Sequence, residues 1–249
     1  MSGPPNAAAE RLAREIEHHR QIADRAEIVW NWDSPSGRRR ADRRGELFVR
    51  HARLGPGTRA LELGCGTGEF LRRVAHSGAE IRGIDLSQHL LTRARVQAAA
   101  FSCVSLVCGN AEQLPCPDAS VDAVYGSSVL HHLDLPRALG EVFRVLRPGG
   151  RLVCTEPNLA NPQVAFMFHV GLTKRYFGVS PDEKAFTRFR AQAALWEAGF
   201  RRCRVRPFDF LHPATGEAWV NRVAWLGARL ERIPLLRELS GSLVILAEK

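Results

Sequence analysis

Three closely spaced glycines mark the segment of this chain that is best suited to binding a ligand. Gly64, Gly66 and Gly68 follow a short apolar strand that contains Glu62, and a helical pattern begins directly after them. Glycines at such a turn let the backbone bend sharply and come close to a ligand. Glu69 stands where a dinucleotide-binding loop has its third glycine, and a carboxylate there would repel a pyrophosphate. The loop therefore indicates another nucleotide-like ligand, and Glu62 suits one that carries a positive charge.

Two adjacent histidines and one glutamate supply groups that can move a proton. His131 and His132 follow one predicted strand, and Glu156 ends the next. The carboxyl ends of parallel strands form the ligand-binding edge of a sheet, and an imidazole titrates near neutral pH. Either histidine therefore suits a general base, or packs structurally beside the ligand. Glu156 suits a group that orients a substrate amine or hydroxyl, or one that caps a turn.

Alternating strands and helices must position these groups. The apolar runs predict strands at 59–63, 81–85, 104–108, 121–126, 151–155, 202–208 and 242–247. The segments between them have helical patterns, with Ser87 and Asp134 as N-caps. One helix is expected to end at Arg147, before Pro148-Gly149-Gly150. This rhythm predicts an α/β fold with a mostly parallel sheet.

The residues around the glycines resemble a known family. Leu61-Glu62-Leu63-Gly64-Cys65-Gly66-Thr67-Gly68 is similar to motif I of the class I S-adenosylmethionine (SAM) dependent methyltransferases. The resemblance is close over residues 55–157 and covers the rest of the chain in outline. It implies a Rossmann-like sheet of seven strands with an antiparallel last strand. It also implies helices on both faces, an N-terminal helical lid and cap insertions.

The resemblance implies that SAM is the cofactor and assigns its binding residues. Asp85 matches the acidic residue that binds both ribose hydroxyls in this family. Asn110 and Ala111 match the adenine-contacting pair, although the family usually has Asp at the first position. The predicted SAM-binding residues are Glu62, Gly64, Cys65, Gly66, Gly68, Asp85, Leu86, Asn110, Ala111, Glu112, Gly126 and Ser127. The predicted catalytic residues are His131, His132 and Glu156.

Family members recognise substrates through segments outside the central sheet. The corresponding parts here are a helical lid at 1–54 and two insertions, at 158–200 and 209–241, in a SAM-binding domain at 55–249. The lid is predicted to contain a helix over 7–30 and another from about Arg40 to His51. We expect the histidines of the first helix on a solvated face and the two lid tryptophans over the core. These four residues are His18, His19, Trp30 and Trp32.

The two insertions carry apolar patterns. Aromatic residues in the first suit an apolar or planar acceptor, or pack the cap's own small core. They are Phe166, Phe168, Tyr176 and Phe177. The second insertion predicts an amphipathic helix whose apolar stripe packs on the core, and contact with a membrane surface or a second copy is the alternative. The stripe consists of Trp219, Val223, Leu226, Leu230 and Ile233.

Composition limits the function classes. None of the six cysteines forms a Cys-x-x-Cys pair and no histidines lie at zinc spacing, so no metal site is expected. The net charge of +9 favours acidic partners or reflects a solvated arginine-rich surface, and it is densest at Arg38-Arg39-Arg40, Arg43 and Arg44. The start lacks the pattern of a signal peptide, and no apolar run approaches bilayer length. These features predict a cytoplasmic location.

The sequence therefore predicts a SAM-dependent methyltransferase that acts on a small acceptor, which is apolar, aromatic or acidic. Methylation of oxygen is expected ahead of nitrogen or carbon, and a homodimer is compatible with the pattern. An RNA methyltransferase is one alternative, favoured by the charge but lacking an RNA-binding module or an Asn-Pro-Pro-Tyr-like motif. A non-catalytic SAM-fold subunit is the other, and the intact Glu62, glycines and Asp85 argue against it.

Overall fold

A computed structural model describes residues 5–169 and 183–249 of the chain. Two of the cap aromatics singled out above, Tyr176 and Phe177, lie outside the described residues. Seven strands form one sheet. They are β1 (Arg59–Leu63), β2 (Glu80–Asp85), β3 (Val104–Cys108), β4 (Val121–Ser127), β5 (Leu146–Pro157), β6 (Arg201–Phe208) and β7 (Ser242–Glu248).

The strands lie in the order β3-β2-β1-β4-β5-β7-β6. β1 to β5 pair in parallel, whereas β7 pairs antiparallel with both β5 and β6. The strand order reverses between β1 and β4, and in open α/β sheets ligands bind at the carboxyl ends of strands at such a point. The predicted Rossmann-like sheet with an antiparallel last strand is confirmed.

Helices precede, separate and follow the strands. They are α1 (Pro5–Ile22), α2 (Ala26–Val29), α3 (Pro35–Ala52), α4 (Glu69–Val74), α5 (Gln88–Ala98), α6 (Leu135–Val145), α7 (Pro162–His169), α8 (Arg188–Glu197), α9 (Glu217–Leu230) and α10 (Pro234–Arg237). Ser87 and Asp134 cap α5 and α6 through their side chains, as predicted. Among the described residues, no helix combines the length and the apolar character needed to cross a bilayer.

Apolar side chains cover both faces of the sheet. Along β1, Leu61 and Leu63 point to a core formed with α6 and α8, whereas Ala60 points to a core formed with α3, α4 and α5. This alternation is the two-residue period of a strand that is buried on both faces. Glu62 shares the face of Ala60 and is therefore placed in a core rather than at the surface.

The N-terminal helices differ from the prediction. The helix expected over 7–30 is interrupted by a 3-10 turn at Ala23–Arg25, and it ends before Asn31, whose φ is 56°. α3 begins earlier than expected because the Ser34 side chain caps it, accepting a hydrogen bond from Gly37 N. The first part of the N-terminal segment thus consists of shorter helices than predicted, and the chain changes direction between them.

The boundary before β5 also differs from the prediction. α6 ends at Val145, and Leu146 is already extended and pairs with Val121. The pairing register shifts before the next partner, Ala123, which marks an irregularity of the bulge type. The predicted helix end at Arg147 was wrong because the strand begins before the proline-glycine turn.

The predicted apolar stripe of α9 is not its buried face. Trp219 and Leu226, two members of the stripe, are 58% and 49% exposed. The buried residues are Val220 and Gly227, and a Cβ at Gly227 would lie 3.1 Å from the Cβ of Phe210. The helix therefore packs closely through small residues, so size rather than hydrophobicity decides its orientation.

The clustered arginines of α3 are paired within the molecule. Arg40 and Arg44 contact the Asp209 carboxylate at 3.2 and 2.9 Å, and Arg43 contacts Glu231 at 2.6 Å. Burial lowers the pKa of Arg44 to about 10 against the opposing effect of Asp209. These ion pairs join α3 to the second insertion, so these three arginines are engaged in the fold.

Candidate active site

The glycine loop is shaped by backbone conformations that side chains oppose. Gly64 and Gly66 have φ values of 60° and 53°, in the left-handed region that favours glycine. A Cβ at Gly64 would lie 2.6 Å from Cγ2 of Val129, and one at Gly66 would lie 3.2 Å from the Trp30 ring. The absence of side chains at these two positions thus lets the loop backbone fit between Val129, which follows β4, and Trp30.

Asp85 ties this loop to the second strand. Its carboxylate accepts hydrogen bonds of 2.8 Å from Gly66 N and from Ser87 N, and the residue is 6% exposed. An ionised carboxylate has about four acceptor positions, so two backbone bonds leave capacity for ligand hydroxyls. Asp85 therefore both holds the loop and presents acceptor atoms to the adjoining cavity.

A cavity of about 610 Å³ adjoins the loop. This volume lies within the range of small-molecule sites. The predicted residues that line it are Gly64, Cys65, Gly66, Asp85, Leu86, Asn110, Ala111, Ser127, His131 and His132. The predicted residues that do not line it are Glu62, Gly68, Glu112, Gly126 and Glu156. The structure therefore gathers most of the expected site and assigns the others to supporting positions.

Glu62 lies beneath the loop and not on the cavity wall. It is 1% exposed, and burial raises its pKa to about 8 against the opposing effect of the Tyr125 hydroxyl. A carboxyl with this pKa is largely protonated at neutral pH. The attraction of Glu62 for the positively charged end of a ligand stays a prediction. Glu62 would have to exert it from this buried position.

Glu112 connects α1 to the body of the protein. Its Oε1 forms an ion pair with Arg11 of α1 and accepts a hydrogen bond of 2.8 Å from Asp134 N. Its backbone N–H donates to Oδ1 of Asn110 at 2.9 Å. The Glu112 carboxylate thus binds Arg11 of α1 and the backbone at the start of α6, while Asn110 remains on the cavity wall.

The turn after β4 is organised by Glu156. Its Oε1 accepts hydrogen bonds from Val129 N at 3.0 Å and Leu130 N at 2.8 Å, and its Oε2 lies 2.7 Å from His131 Nδ1. Burial opposes a charge on His131, but the carboxylates of Glu156 and Glu183 outweigh it and raise its pKa to about 10. Glu156 therefore holds the His131 ring in place through Nδ1, from a position that does not line the cavity.

Two glutamates from distant parts of the chain join the histidines. Glu183 lies 3.5 Å from His131 Nε2 and 3.7 Å from His132 Nδ1, and Glu15 of α1 lies 3.3 Å from His132 Nδ1. Both glutamates are buried and line the cavity. Sequence reasoning missed them, because no spacing or motif connects either residue to the Leu-His-His segment. We call the four residues Glu15, His131, His132 and Glu183 the polar corner.

The lid contributes more of the wall than the sequence indicated. His18 and His19, expected on a solvated face, line the cavity and are half-buried. Burial lowers the pKa of His19. Trp30 and Trp32 line it as well. The expectation for the two histidines was wrong because α1 lies over the cavity with this face turned inward.

The remaining cavity wall is largely apolar. It comes from α7 and from the segment that follows β6. These residues are Val164, Met167, Phe168, Phe210 and Leu211. Phe168 packs edge-on against His131, with ring centroids 5.9 Å apart. The cavity therefore has a cofactor loop, a polar corner and an apolar wall in one continuous space.

Comparison with known proteins agrees with this geometry. Residues 61–154 match a family model described as a methyltransferase domain. The chain is 30% identical over 189 residues to the demethylmenaquinone methyltransferase of Bacillus licheniformis, covering 68% of this chain and 79% of that protein. It is 34% identical over 186 residues to O-methyltransferase resE of Aspergillus sclerotiorum, covering 70% and 67% respectively. It spans only 46% of the demethylmenaquinone methyltransferase of Symbiobacterium thermophilum, at 38% identity over 117 residues.

Solved structures show the same fold. Phosphoethanolamine N-methyltransferase 2 of Haemonchus contortus, crystallised with SAM, gives a TM-score of 0.66 at 18% identity, covering 92% of this chain and 59% of that chain. A SAM-dependent methyltransferase of Thermotoga maritima gives 0.64 at 20% identity, covering 94% and 99%. The chain belongs to the SAM-dependent methyltransferase family. It is an enzyme of the class I type, and SAM is its cofactor.

Proposed function

We propose that this methyltransferase transfers the methyl group of SAM to a hydroxyl oxygen of a small, largely apolar acceptor. The observation that carries the proposal is one cavity that contains both the cofactor loop and the polar corner. A hydroxyl loses its proton when it is methylated, and a cluster of imidazoles and carboxylates can take that proton. The name of the Aspergillus relative, an O-methyltransferase, supports the same choice of atom.

The charges around the cavity favour an apolar acceptor over an acidic one. Among the described residues three arginines line the cavity, and each is engaged by a carboxylate: Arg40 and Arg44 by Asp209, and Arg11 by Glu112. An acidic acceptor would have to compete with these ion pairs. The apolar wall instead offers surface to a ring or a hydrocarbon.

The residues present fit the cofactor. The backbone of Gly64 and Gly66 is open to the cavity, and the Asp85 carboxylate and Asn110 line the same space. In our proposal Asp85 holds the ribose and Asn110 meets the adenine. Bound SAM supplies a methyl group on a positively charged sulfur.

The chain has to place the acceptor oxygen about 3 Å from the methyl carbon and in line with the carbon–sulfur bond. The apolar wall holds the body of the acceptor, and the polar corner binds its hydroxyl. As the carbon–oxygen bond forms, the carbon–sulfur bond breaks and its electron pair stays on sulfur. The hydroxyl proton passes to the polar corner and from there to water.

We further propose that residues 1–54 act as a lid and that the segments 158–200 and 209–241 are insertions that shape the acceptor site. α1 supplies Arg11 and Glu15 to the cavity wall, α7 supplies Phe168, and the second insertion supplies Leu211. All of these lie outside the β1 to β5 core of the sheet. Segments of this kind set acceptor choice while the sheet keeps the cofactor site constant.

The proposal is tested with a panel of acceptors of similar size. The purified chain is incubated with SAM and with ring hydroxyls, aliphatic hydroxyls, amines or carboxylic acids, and the products are analysed by mass spectrometry. We expect methyl ethers of apolar ring hydroxyls, formed together with S-adenosylhomocysteine. N-methylated amines as the main product would overturn the oxygen assignment.

A variant of the polar corner sharpens the test. His132→Asn is expected to lower kcat by about 100-fold, because proton transfer typically contributes 10²–10⁴-fold. Its affinity for SAM should stay unchanged in calorimetry. His76→Asn is the control, since His76 does not line the cavity. An equal loss of SAM affinity and of kcat in His132→Asn would assign this residue to the cofactor instead.

A further inference from the structure

The polar corner has the composition of a metal site. One ring nitrogen of His131, one of His132 and one carboxylate oxygen of Glu183 all lie within 4.8 Å of one another. His131 and Glu183 are buried, and His132 is half-buried. The sequence indicated no metal site because it offers no histidines at zinc spacing. Folding creates the group by bringing Glu183 to two histidines that are adjacent in the chain.

The separations within this group are those of ligands around one ion. The His131 Nε2–Glu183 Oε2 distance is 3.5 Å and the His132 Nδ1–Glu183 Oε1 distance is 3.7 Å. Both exceed the usual 2.7–3.2 Å of an N–H···O hydrogen bond. Ligands held about 2.1 Å from a tetrahedral ion lie about 3.4 Å apart. These two distances run to the two different oxygens of Glu183, and one ion would draw the three groups together from separations of at most 4.8 Å.

A supporting hydrogen bond orients the first ligand. Glu156 Oε2 lies 2.7 Å from His131 Nδ1, on the side of the ring opposite to Nε2. Glu156 is itself held by the backbone N–H groups of Val129 and Leu130. A carboxylate behind a metal-binding histidine fixes the ring and makes it a stronger ligand. This arrangement therefore holds the ring with Nε2 towards the cavity and Glu183, where a bound ion would replace the proton on that nitrogen.

We propose that His131, His132 and Glu183 bind one divalent transition-metal ion, of which Zn²⁺ is the representative, in the wall of the cavity. Two imidazoles and one carboxylate form a donor set that such ions use when a further position stays open for a substrate. All three residues line the cavity that adjoins the SAM loop. Glu15 lies 3.3 Å from His132 Nδ1, where it can influence the distance between that nitrogen and the ion.

The role of this ion rests on the proposed function. The open position faces the space in which the acceptor hydroxyl is expected, and a bound hydroxyl loses its proton more readily on a divalent ion. The polar corner would then act through a metal-bound oxygen of the acceptor, with the released proton passing to water. Binding of the ion itself does not require an acceptor, so it can be measured separately.

The test uses the purified chain stripped with a chelator and titrated with Zn²⁺ alone. We expect one ion per chain by calorimetry and by elemental analysis of the dialysed protein. Titration with Co²⁺ should give the visible absorption of a four- or five-coordinate site. A chain that binds no Zn²⁺ beyond traces, or binds several ions equally weakly, overturns the proposal.

Variants locate the ion. Glu156→Gln should weaken Zn²⁺ binding by about 10–100-fold, as expected for a supporting residue, and His131→Ala should weaken it more. Glu183→Gln, which removes a ligand outside the Leu-His-His segment, should also weaken it. His212→Ala should leave it unchanged, and SAM binding verifies that each variant is folded. Zn²⁺ binding that all these variants retain overturns the assignment.

The two proposals fail in different ways. If the chain methylates hydroxyl acceptors after stripping and binds no Zn²⁺, the metal site is wrong and the proposed function stands. If one Zn²⁺ binds at His131, His132 and Glu183 while only amines are methylated, the site is right and the oxygen assignment is wrong.

Discussion

The two ends of the cavity are built differently. The end at the glycine loop, called the cofactor end, is made within residues 64–111 by the loop backbone and by the side chains of Asp85 and Asn110, where the turns after β1, β2 and β3 meet at the edge of a parallel sheet. The other end, where we propose that the acceptor binds and which we call the acceptor end, is made by side chains from α1, the turn after β4, α7, Glu183 and the segment after β6. Backbone geometry changes little when side chains are replaced, whereas a wall of separate segments can be altered one residue at a time. Variants at the two ends should therefore affect different measured constants.

The largest effect is expected at Asp85. Asp85→Ala removes the acceptor of the Gly66 and Ser87 N–H groups and the proposed ribose ligand. Hydrogen bonds to charged groups contribute about 1.5–3 kcal/mol each, so we expect SAM affinity to fall about 100-fold. Calorimetry measures this directly. Asp122→Ala is the control, because Asp122 also accepts a backbone hydrogen bond, from Arg59 N, but does not line the cavity. Equal SAM affinity in Asp85→Ala and the wild type would remove Asp85 from the cofactor end.

The second prediction concerns the backbone itself. Gly64→Ala introduces a Cβ 2.6 Å from Val129 Cγ2 at a φ of 60°. We expect a loss of about 2 kcal/mol in unfolding free energy, which lowers Tm by about 4–8 °C. Gly149→Ala is a matched control, since Gly149 has a φ of 78° with nothing within 4 Å of its Cβ position. If both variants lose the same stability, the contact with Val129 has no part in shaping the loop.

The third prediction uses pH. Burial raises the pKa of folded Glu62 from 4.5 to about 8, so the folded chain binds this proton more tightly than the unfolded chain. Stability from this group is complete below the unfolded pKa and declines as the pH rises towards 8. Glu62→Gln is neutral at every pH, and its Tm should exceed that of the wild type by several degrees at pH 8. At pH 4.5 the difference should vanish, and a difference that is independent of pH would contradict the assignment.

The smallest effect is expected at the acceptor end of the lid. Arg11→Ala removes the ion pair with Glu112 and the hydrogen bond to the His132 carbonyl oxygen. The pair is partly buried, so we expect a loss of about 1 kcal/mol, seen as a roughly fivefold rise in the acceptor KM. Arg20→Ala is the control on the same helix, because Arg20 pairs only with exposed Glu17. An unchanged KM in Arg11→Ala would show that this contact does not order the lid.

The sequence predicted the cofactor end well because its determinants are local. A glycine turn after a strand, and an acid at the end of the next strand, lie in fixed positions once the strands are parallel. The acceptor end has no such determinant. Glu15 and Glu183 reach His132 through the packing of α1 and of the segment before α8. The residues next to them in sequence do not indicate these contacts.

The error at α9 has a related cause. The stripe that contains Trp219 has helical periodicity, and periodicity alone cannot tell which of two faces fits its neighbour. Gly227 fits against Phe210 because it is small, and this selects a face about 100° round the helix from the one that hydrophobicity suggested. Close packing depends on both contacting surfaces. It therefore cannot be predicted from the sequence of either segment alone.

The position of β7 has a consequence for the route by which the chain folds. β6 contacts the rest of the sheet only through β7, which follows it in sequence after the segment 209–241. β6 can pack on α8, which precedes it, but it cannot pair with the sheet until a later strand supplies its partner. During this interval Asp209 is close to β6 in sequence but is not yet joined to Arg44. The last step of folding should thus complete the sheet and the arginine–aspartate junction together, as a single non-local event.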